Sequence, residues 1–387
     1  MIEKFCDFAR NIYGDKFIPL HRPIFEGNEK RYLIDCIDSN FVSSVGEKVT
    51  EFEEKIAEYT GSKHAVATVN GTAALHIAIK LAGVNEGDEV LSQALTFIAT
   101  CNAISYAGAH PVFVDVDIET MGLSPNALRE FLESHAEKTS SGALNKVTGR
   151  RIAACIPMHT FGFPCRIEEI VSICDDWGIA LIEDAAESLG SFVAGRHTGT
   201  FGKMAALSFN GNKVITTGGG GMLITDDQEL AIQAKHITTT AKVPHPYEFI
   251  HDEIGYNYRM PNLNAALGCA QMERLEEFLT IKSDIASKWN NFFNAYDVKF
   301  VLAEGSNSAN HWLNAIILDS TEDRDKFLTT TNEKGVMTRP IWQLMSELSM
   351  FKDCQNDSLV NSKWLVNHVV NIPSSVPEGW LLDFSKD

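Results

Sequence analysis

The stretch RIAACIPMHTFGFPCRIEEIVSICDDWGIALIED, residues 151–184, decides the fold class. It opens on an apolar run, RIAACIPM (151–158), and closes on a second one, IALIED (179–184). Between them RIEEIVSICDDWG reads as a helix that ends at Gly178. Two continuous apolar strands bracketing a helix predict a parallel pair joined by a right-handed crossover. Ligands of such sheets sit beyond the carboxyl ends of the strands.

The same alternation extends in both directions. HAVATV (64–69) precedes Asn70-Gly71-Thr72 and AALHIAIKLA, whose Leu75, Ile79 and Ala82 lie at helical spacing. EVLSQAL (89–95) and HPVFVDVD (110–117) read as strands around a second apolar helix. Ser124 and Pro125 form a cap and first-turn pair for PNALREFLE. AALSFN (205–210) is a further strand, and SSGALN (140–145) reads as an exposed loop. After about residue 240 the pattern changes: KVPHPYEFIHDEIGYNYRMPN is loop-like. LNAALGCAQMERLEEFLTIKSDIASKWNNFF follows as one bent helix or two, and HWLNAIILD and VMTRPIW suggest strands of a smaller unit. The expected fold class is α/β: an N-terminal arm (1–45), a large domain (46–250) and a small C-terminal α+β domain (251–387). The large domain carries a mostly parallel, seven-stranded-type sheet covered by helices.

Composition narrows the function. The 387 residues hold 33 Lys plus Arg against 51 Asp plus Glu, a formal charge of −18, which excludes nucleic acid and anionic membrane as partners. The eight cysteines contain no CxxC pair, so no metal site is expected and the thiols read as reduced in a cytoplasm. Glu3, Lys4, Asp7 and Arg10 leave no apolar core for a signal peptide. No charged residue falls between Glu89 and Asp115, but polar residues, Gly108 and Pro111 break that run into strand, helix and strand.

Gly218–Gly221 and GTFGK fit no nucleotide loop, since His197 and Met204 occupy positions where a phosphate-binding loop needs Gly and Ser or Thr. The four glycines read instead as backbone packed closely between strands. Four other segments carry candidate chemistry. Asn70-Gly71-Thr72 joins a strand to a helix start, which serves either as a phosphate cup or as an ordinary cap with Thr in the capping role. Asp184 ends its strand as a cleft carboxylate or as a cap of the next helix. Lys213 follows Gly211 and Asn212 on a tight turn, where a cleft can activate an amine that elsewhere is simply solvated. Gly255-Tyr256-Asn257-Tyr258-Arg259 is a polar-aromatic loop without an evident packing role. A phosphate cup, a cleft carboxylate and an activated lysine together suit pyridoxal phosphate chemistry, with Phe97 available to hold the ring flat.

The ordered set NGTAAL (70–75), TFIAT (96–100), PVFVDVD (111–117), EDAAES (183–188), GTFG (199–202), SFNGNK (208–213), TTGGGGML (216–223) and GYNYRM (255–260) resembles the DegT/DnrJ/EryC1/StrS sugar aminotransferases, which are fold-type I pyridoxal phosphate enzymes. The resemblance runs over roughly residues 20 to 380. It implies that Lys213 bonds the cofactor and shuttles the proton, and that Asp184 partners the pyridine nitrogen. Gly71, Thr72 and Ser208 match phosphate ligands, and Phe97 the stacking aromatic. Asn257 matches a residue that reaches the cofactor phosphate of a second subunit, which implies a homodimer. Glu187, beside the cofactor hydroxyl, stands where many relatives have Gln or His, and Asn210 where other branches have His.

VLSQALTFIAT, SFNGNK and TRPIW (338–342) look most like the LegC and bacillosamine-type branch. That likeness implies a cytoplasmic enzyme moving the amino group of L-glutamate to C4 of a UDP-4-keto-6-deoxy-N-acetylhexosamine, for cell-surface glycans. Alternatives are a 3-keto or a dTDP- or GDP-linked sugar, a dehydratase (whose relatives carry His at the position of Lys213), or a non-catalytic homologue. Arg339, Trp312 and His159 are open between substrate contact and core or surface roles.

Overall fold

The computed structural model describes residues 1–139 and 142–381. In chain order the strands begin with β1 (His64–Thr68), β2 (Glu89–Gln93), β3 (His110–Val114), β4 (Ala136–Thr139), β5 (Gly142–Asn145), β6 (Arg151–Ile156) and β7 (Ala180–Asp184). A short hairpin, β8 (Phe192–Val193) and β9 (Arg196–His197), precedes β10 (Met204–Ser208) and β11 (Gly221–Thr225). A second short hairpin is β12 (Lys242–Val243) with β13 (Ile250–His251). The last four strands are β14 (Lys299–Phe300), β15 (Asn314–Ile317), β16 (Arg339–Pro340) and β17 (Val369–Ile372).

The main sheet follows the order β1-β11-β10-β7-β6-β2-β3, a seven-strand path to which β5 and β4 add a hairpin beside β6. Neighbours from β10 to β3 pair in parallel, whereas β11 runs antiparallel to both β1 and β10. Successive strand residues serve opposite faces, as the twofold period requires. In β2, Val90 packs under the helix Gly71–Leu81, while Leu91 packs under the helices Pro125–His135 and Ile167–Trp177. Ile182 and Leu181 of β7 divide in the same way. Both faces are therefore dry, which explains why these strands carry continuous apolar runs.

The smaller sheet, β14-β15-β17-β16, is antiparallel throughout. Its outer face packs on the helix Leu275–Asn294 and on the first helix, Ile2–Tyr13, which buries Phe5, Cys6 and Ala9 against Trp289, Phe293 and Phe327. The first helix thus belongs to the core of the small sheet. Burying a residue such as Phe5, fully inaccessible here, contributes roughly 2–3 kcal/mol.

Two local expectations need correction, and one left open, a single bent helix or two, is decided. Gly142–Asn145 of the expected loop form a strand, because Ala143 and Asn145 turn inward and pair with β4 and β6; Ser140 and Ser141 lie outside the described residues. The long amphipathic segment is two helices, Asn262–Met272 and Leu275–Asn294. The loop 255–259 does pack: Tyr256 stacks on Tyr258 with centroids 5.0 Å apart, and the Val69 amide donates to the Tyr258 carbonyl. All eight cysteines are free thiols, and no helix among the described residues is long and apolar enough to cross a membrane.

Candidate active site

Strand order sets β1, β11, β10 and β7 side by side. The carboxyl ends of β1, β10 and β7 and the amino end of β11 consequently share one edge. The chain leaves β1 into the helix Gly71–Leu81, capped by Asn70, whose Oδ1 accepts the Ala73 amide at 2.8 Å. The cap is therefore Asn70 rather than Thr72. Gly71 and Thr72 stand in the first turn, where helix geometry provides no acceptor for their amides and the dipole favours an anion. Neighbouring backbone approaches this turn closely. A Cβ on Gly71 would lie 3.0 Å from the Ser208 Cβ and 3.3 Å from the Leu207 carbonyl oxygen. One on Gly221 would lie 2.4 Å from the Asn70 carbonyl carbon. The close packing expected of the glycine run is thus used to press β11 against the anion shelf.

Asp184, at the end of β7, is 2% exposed and lines a cavity of about 800 Å³. Its Oδ2 accepts the Thr100 hydroxyl at 2.7 Å and its Oδ1 accepts the Ala186 amide at 3.2 Å. Burial raises the carboxyl above its usual range, against the pull of the Thr100 bond. No helix follows directly, so the capping reading of Asp184 falls.

Lys213 closes a turn in which its amide donates to the Asn210 carbonyl at 2.9 Å. Its Nζ donates to Glu187 Oε1 at 3.1 Å and lies 3.7 Å from the Trp312 ring centre. Glu187 is itself buried, and burial pushes its carboxyl up to about 7. Its second oxygen accepts the amide of Phe161, a non-glycine residue at φ +58°. Strained backbone of this kind persists only where its surroundings fix it. Phe97 is half exposed at the cavity wall, 6.2 Å from Trp342, and Ser208 and Asn210 line the same space.

Gly71, Thr72, Phe97, Asp184, Glu187, Ser208, Asn210 and Lys213 therefore meet in one cavity, which Arg339 and Trp312 also line. Asn257 does not join them; it lines a separate opening of about 720 Å³ with Ser44, Val45 and Arg259. His159 is fully buried and faces Glu183 at 3.0 Å, which removes it from substrate contact. Two participants escaped the sequence reading. Thr100, on the helix Ile98–Tyr106, is identifiable only once that helix meets the end of β7, and Trp342 only once the chain after β16 reaches the cavity.

The donor set fits pyridoxal 5′-phosphate: free amides and hydroxyls for a phosphate, a carboxylate for a ring nitrogen, an aromatic face and an amine. A sequence model of the DegT/DnrJ/EryC1/StrS aminotransferase family matches residues 23–377. The chain belongs to that family. As a DegT/DnrJ/EryC1/StrS member it is a pyridoxal phosphate-dependent sugar aminotransferase. EpsN of Bacillus subtilis (strain 168), named as a pyridoxal phosphate-dependent aminotransferase, is 38% identical over 87% of this chain and 84% of its own. A GDP-perosamine synthase of Escherichia coli O157:H7 is 36% identical over 87% and 88%. Among solved structures, the aminotransferase TlmJ from Streptoalloteichus hindustanus shares 26% identity with a TM-score of 0.83, covering 92% of this chain and 93% of that one. DesI, solved with its TDP-sugar product, shares 26% with a TM-score of 0.81, covering 93% and 88%.

Proposed function

We propose that the protein transfers the amino group of L-glutamate to C4 of a nucleotide-linked 4-keto-6-deoxy sugar. The observation that carries this reading is the amine of Lys213 beside Glu187 in a cavity that also holds Asp184 and the free amides of Gly71 and Thr72. Bound there, pyridoxal phosphate supplies a carbonyl that takes up an amino group and a ring that accepts electron density. Gly71, Thr72 and Ser208 anchor the phosphate. Asp184, kept in place by Thr100, holds a proton at the pyridine nitrogen. Lys213 Nζ carries the proton at the substrate carbon, and Glu187 orients that amine between transfers. Phe97, with Trp342 6.2 Å away on the same cavity lining, offers an aromatic face to the ring.

Two carriers stand beside each other. The likeness to the bacillosamine-type branch favours UDP, whereas relatives named GDP-perosamine synthase favour GDP. The deciding experiment incubates holoenzyme and glutamate with UDP-, GDP- and dTDP-linked 3- and 4-ketosugars and reads product stereochemistry by NMR. No 4-amino product from any carrier would refute the assignment. Lys213 is tested separately: borohydride should bleach the yellow holoenzyme and fix the cofactor on this residue. Fixation in Lys213→Ala would show that another amine holds it.

We also propose a homodimer that shares its sites. Asn257 lies away from the Lys213 cavity of its own chain, and Tyr247, Phe249 and Ile254 near it are more than four-fifths exposed. A second copy covering them would bring Asn257 to the neighbouring cavity, and the mass in solution tests the association.

A further inference from the structure

Lys282 lies on the helix Leu275–Asn294 with 1% of its surface exposed, and no carboxylate pairs with it among the described residues. A buried ammonium is tolerable only where its three hydrogens find acceptors. All three do: Nζ donates to the carbonyls of Ser374 at 2.6 Å, His311 at 3.1 Å and Trp312 at 3.4 Å. A methionine would fill the same volume without desolvating a charge, so filling the core does not account for a lysine here.

The acceptors come from two segments that the sheet pairing does not itself join. His311 and Trp312 precede β15, and Ser374 follows β17, just beyond the last pair, Asn314 with Ile372. His311 adopts φ +50°, sparsely populated for a residue with a Cβ, so its carbonyl direction has to be imposed from outside. Asn310 contributes by accepting the Trp312 amide at 2.8 Å, Asn314 by donating its amide to Ser374 Oγ at 2.8 Å, and Lys282 by donating to the His311 and Trp312 carbonyls. The product of these restraints is the orientation of one indole. Its N–H donates to the Asn212 carbonyl at 2.5 Å, and its ring centre lies 3.7 Å from Lys213 Nζ. Trp312 thus grips both the turn that presents Lys213 and the flank of the amine.

We propose that Lys282 is a positioning residue for the reactive amine, acting through Trp312: it clamps the His311 and Trp312 carbonyls to the end of β17 and so fixes the indole against Lys213. Lys282 does not line the cavity. The inference rests on Lys213 as the proton carrier.

The test uses holoenzymes of wild type, Lys282→Met, Lys282→Gln, Trp312→Phe and the double variant Lys282→Met/Trp312→Phe. An ångström of misplacement in a proton carrier costs about 10- to 100-fold in turnover. Lys282→Met is expected to lower kcat by that factor with KM for glutamate within about twofold. Lys282→Gln, which keeps two N–H donors, recovers part of the loss. The double variant is no slower than Trp312→Phe alone, because both changes release the same indole. Losses that multiply in the double variant would overturn the proposal, as would wild-type kcat in a folded, cofactor-loaded Lys282→Met. If the methionine variant does not accumulate, Lys282→Gln with Trp312→Phe completes the same cycle. Borohydride fixation at residue 213 is read in every protein. Its failure in the wild type strikes the Lys213 reading, whereas its retention with unchanged kcat strikes only Lys282.

Discussion

Gly221 opens β11 with β1 on one side and β10 on the other, paired with Thr68 and Ser208. A Cβ added there would lie 2.4 Å from the carbonyl carbon and oxygen of Asn70 and 2.6 Å from the Gly71 nitrogen. Ordinary contact begins near 3.4 Å, so Gly221→Ala must drive the Asn70–Gly71 turn outward by about 1 Å. The colliding atoms are backbone, and no rotamer change relieves them. Overpacking of a core costs about 1–3 kcal/mol, and strands fixed on both sides place this site at the upper end. The displaced amides are those that the proposed function assigns to the phosphate. A hydrogen bond to a charged group is worth about 1.5–3 kcal/mol, so losing one weakens cofactor binding about 10- to 100-fold. Titrating the cofactor-free protein with pyridoxal phosphate, by visible absorbance, measures the second effect; urea unfolding of the same protein measures the first. Gly218→Ala is the control: its φ of +79° strains an alanine, but nothing lies within 4 Å of the added carbon. It is expected to cost about 1 kcal/mol and leave cofactor affinity alone. Wild-type affinity in Gly221→Ala, or equal weakening in both variants, would refute the reasoning.

Asp184→Asn keeps the shape but removes the charge that stabilises a ring proton; kcat is expected to fall about 100-fold or more. The cofactor-free protein, relieved of a buried carboxylate, is expected to unfold at no lower urea concentration, and a lower midpoint would contradict the desolvation argument. Burial lowers His197 and His311 from 6.5 to about 4, so both stay neutral in the fold while the unfolded chain binds protons below about 6.5. Stability is therefore full above that pH and is lost as pH falls from 6.5 towards 4, by up to about 3 kcal/mol per group. His197 Nε2 accepts the Gly190 amide at 2.9 Å; His197→Gln is expected to flatten its share of the slope, which urea midpoints at pH 7 and pH 5 will reveal. Co-expressed Lys213→Ala and Asn257→Ala chains are expected to regain about a quarter of wild-type turnover, since random pairing gives half mixed dimers with one intact site each. No recovery, with both variants inactive alone, would place Asn257 in its own chain's chemistry.

The strands and crossover helices were legible because both faces of the sheet are buried and leave continuous apolar runs, as in IALIED and HAVATV. The cavity residues were legible where they follow those strands directly, as Asp184 and Lys213 do. Thr100 was not, because its partner lies 84 residues away and only the packing of the helix Ile98–Tyr106 against the end of β7 makes the pair. Sequence does not separate Asn70 from Thr72 as the cap, because Asn and Thr are both good caps and the choice depends on which side chain reaches the Ala73 amide. The strand Gly142–Asn145 was hidden by its turn composition, since Ser and Gly mark a loop whether or not the chain beyond pairs. Lys282 carries no signal in sequence: on an amphipathic helix a lysine reads as solvated, and only the surrounding carbonyls reveal otherwise.

A formal charge of −18 opposes a site that takes a cofactor phosphate and, on the proposed function, a nucleotide diphosphate. The charged cavity lining is Asp184, Glu187, Lys213 and Arg339, and Glu187 already engages Lys213. Arg339 pairs with no carboxylate among the described residues, so we propose it as the cation that meets a substrate anion. For the cofactor phosphate, the proposed attraction comes from dipoles: the Gly71 and Thr72 amides, the helix end behind them and the Ser208 hydroxyl. Those groups act within hydrogen-bonding reach, whereas surface carboxylates are screened beyond about 8 Å at physiological salt. The acidic shell and the anion shelf therefore work on different length scales. The shelf depends on how closely backbone can approach the phosphate, which ties anion affinity in this acidic protein to Gly71 and Gly221 more than to any lysine.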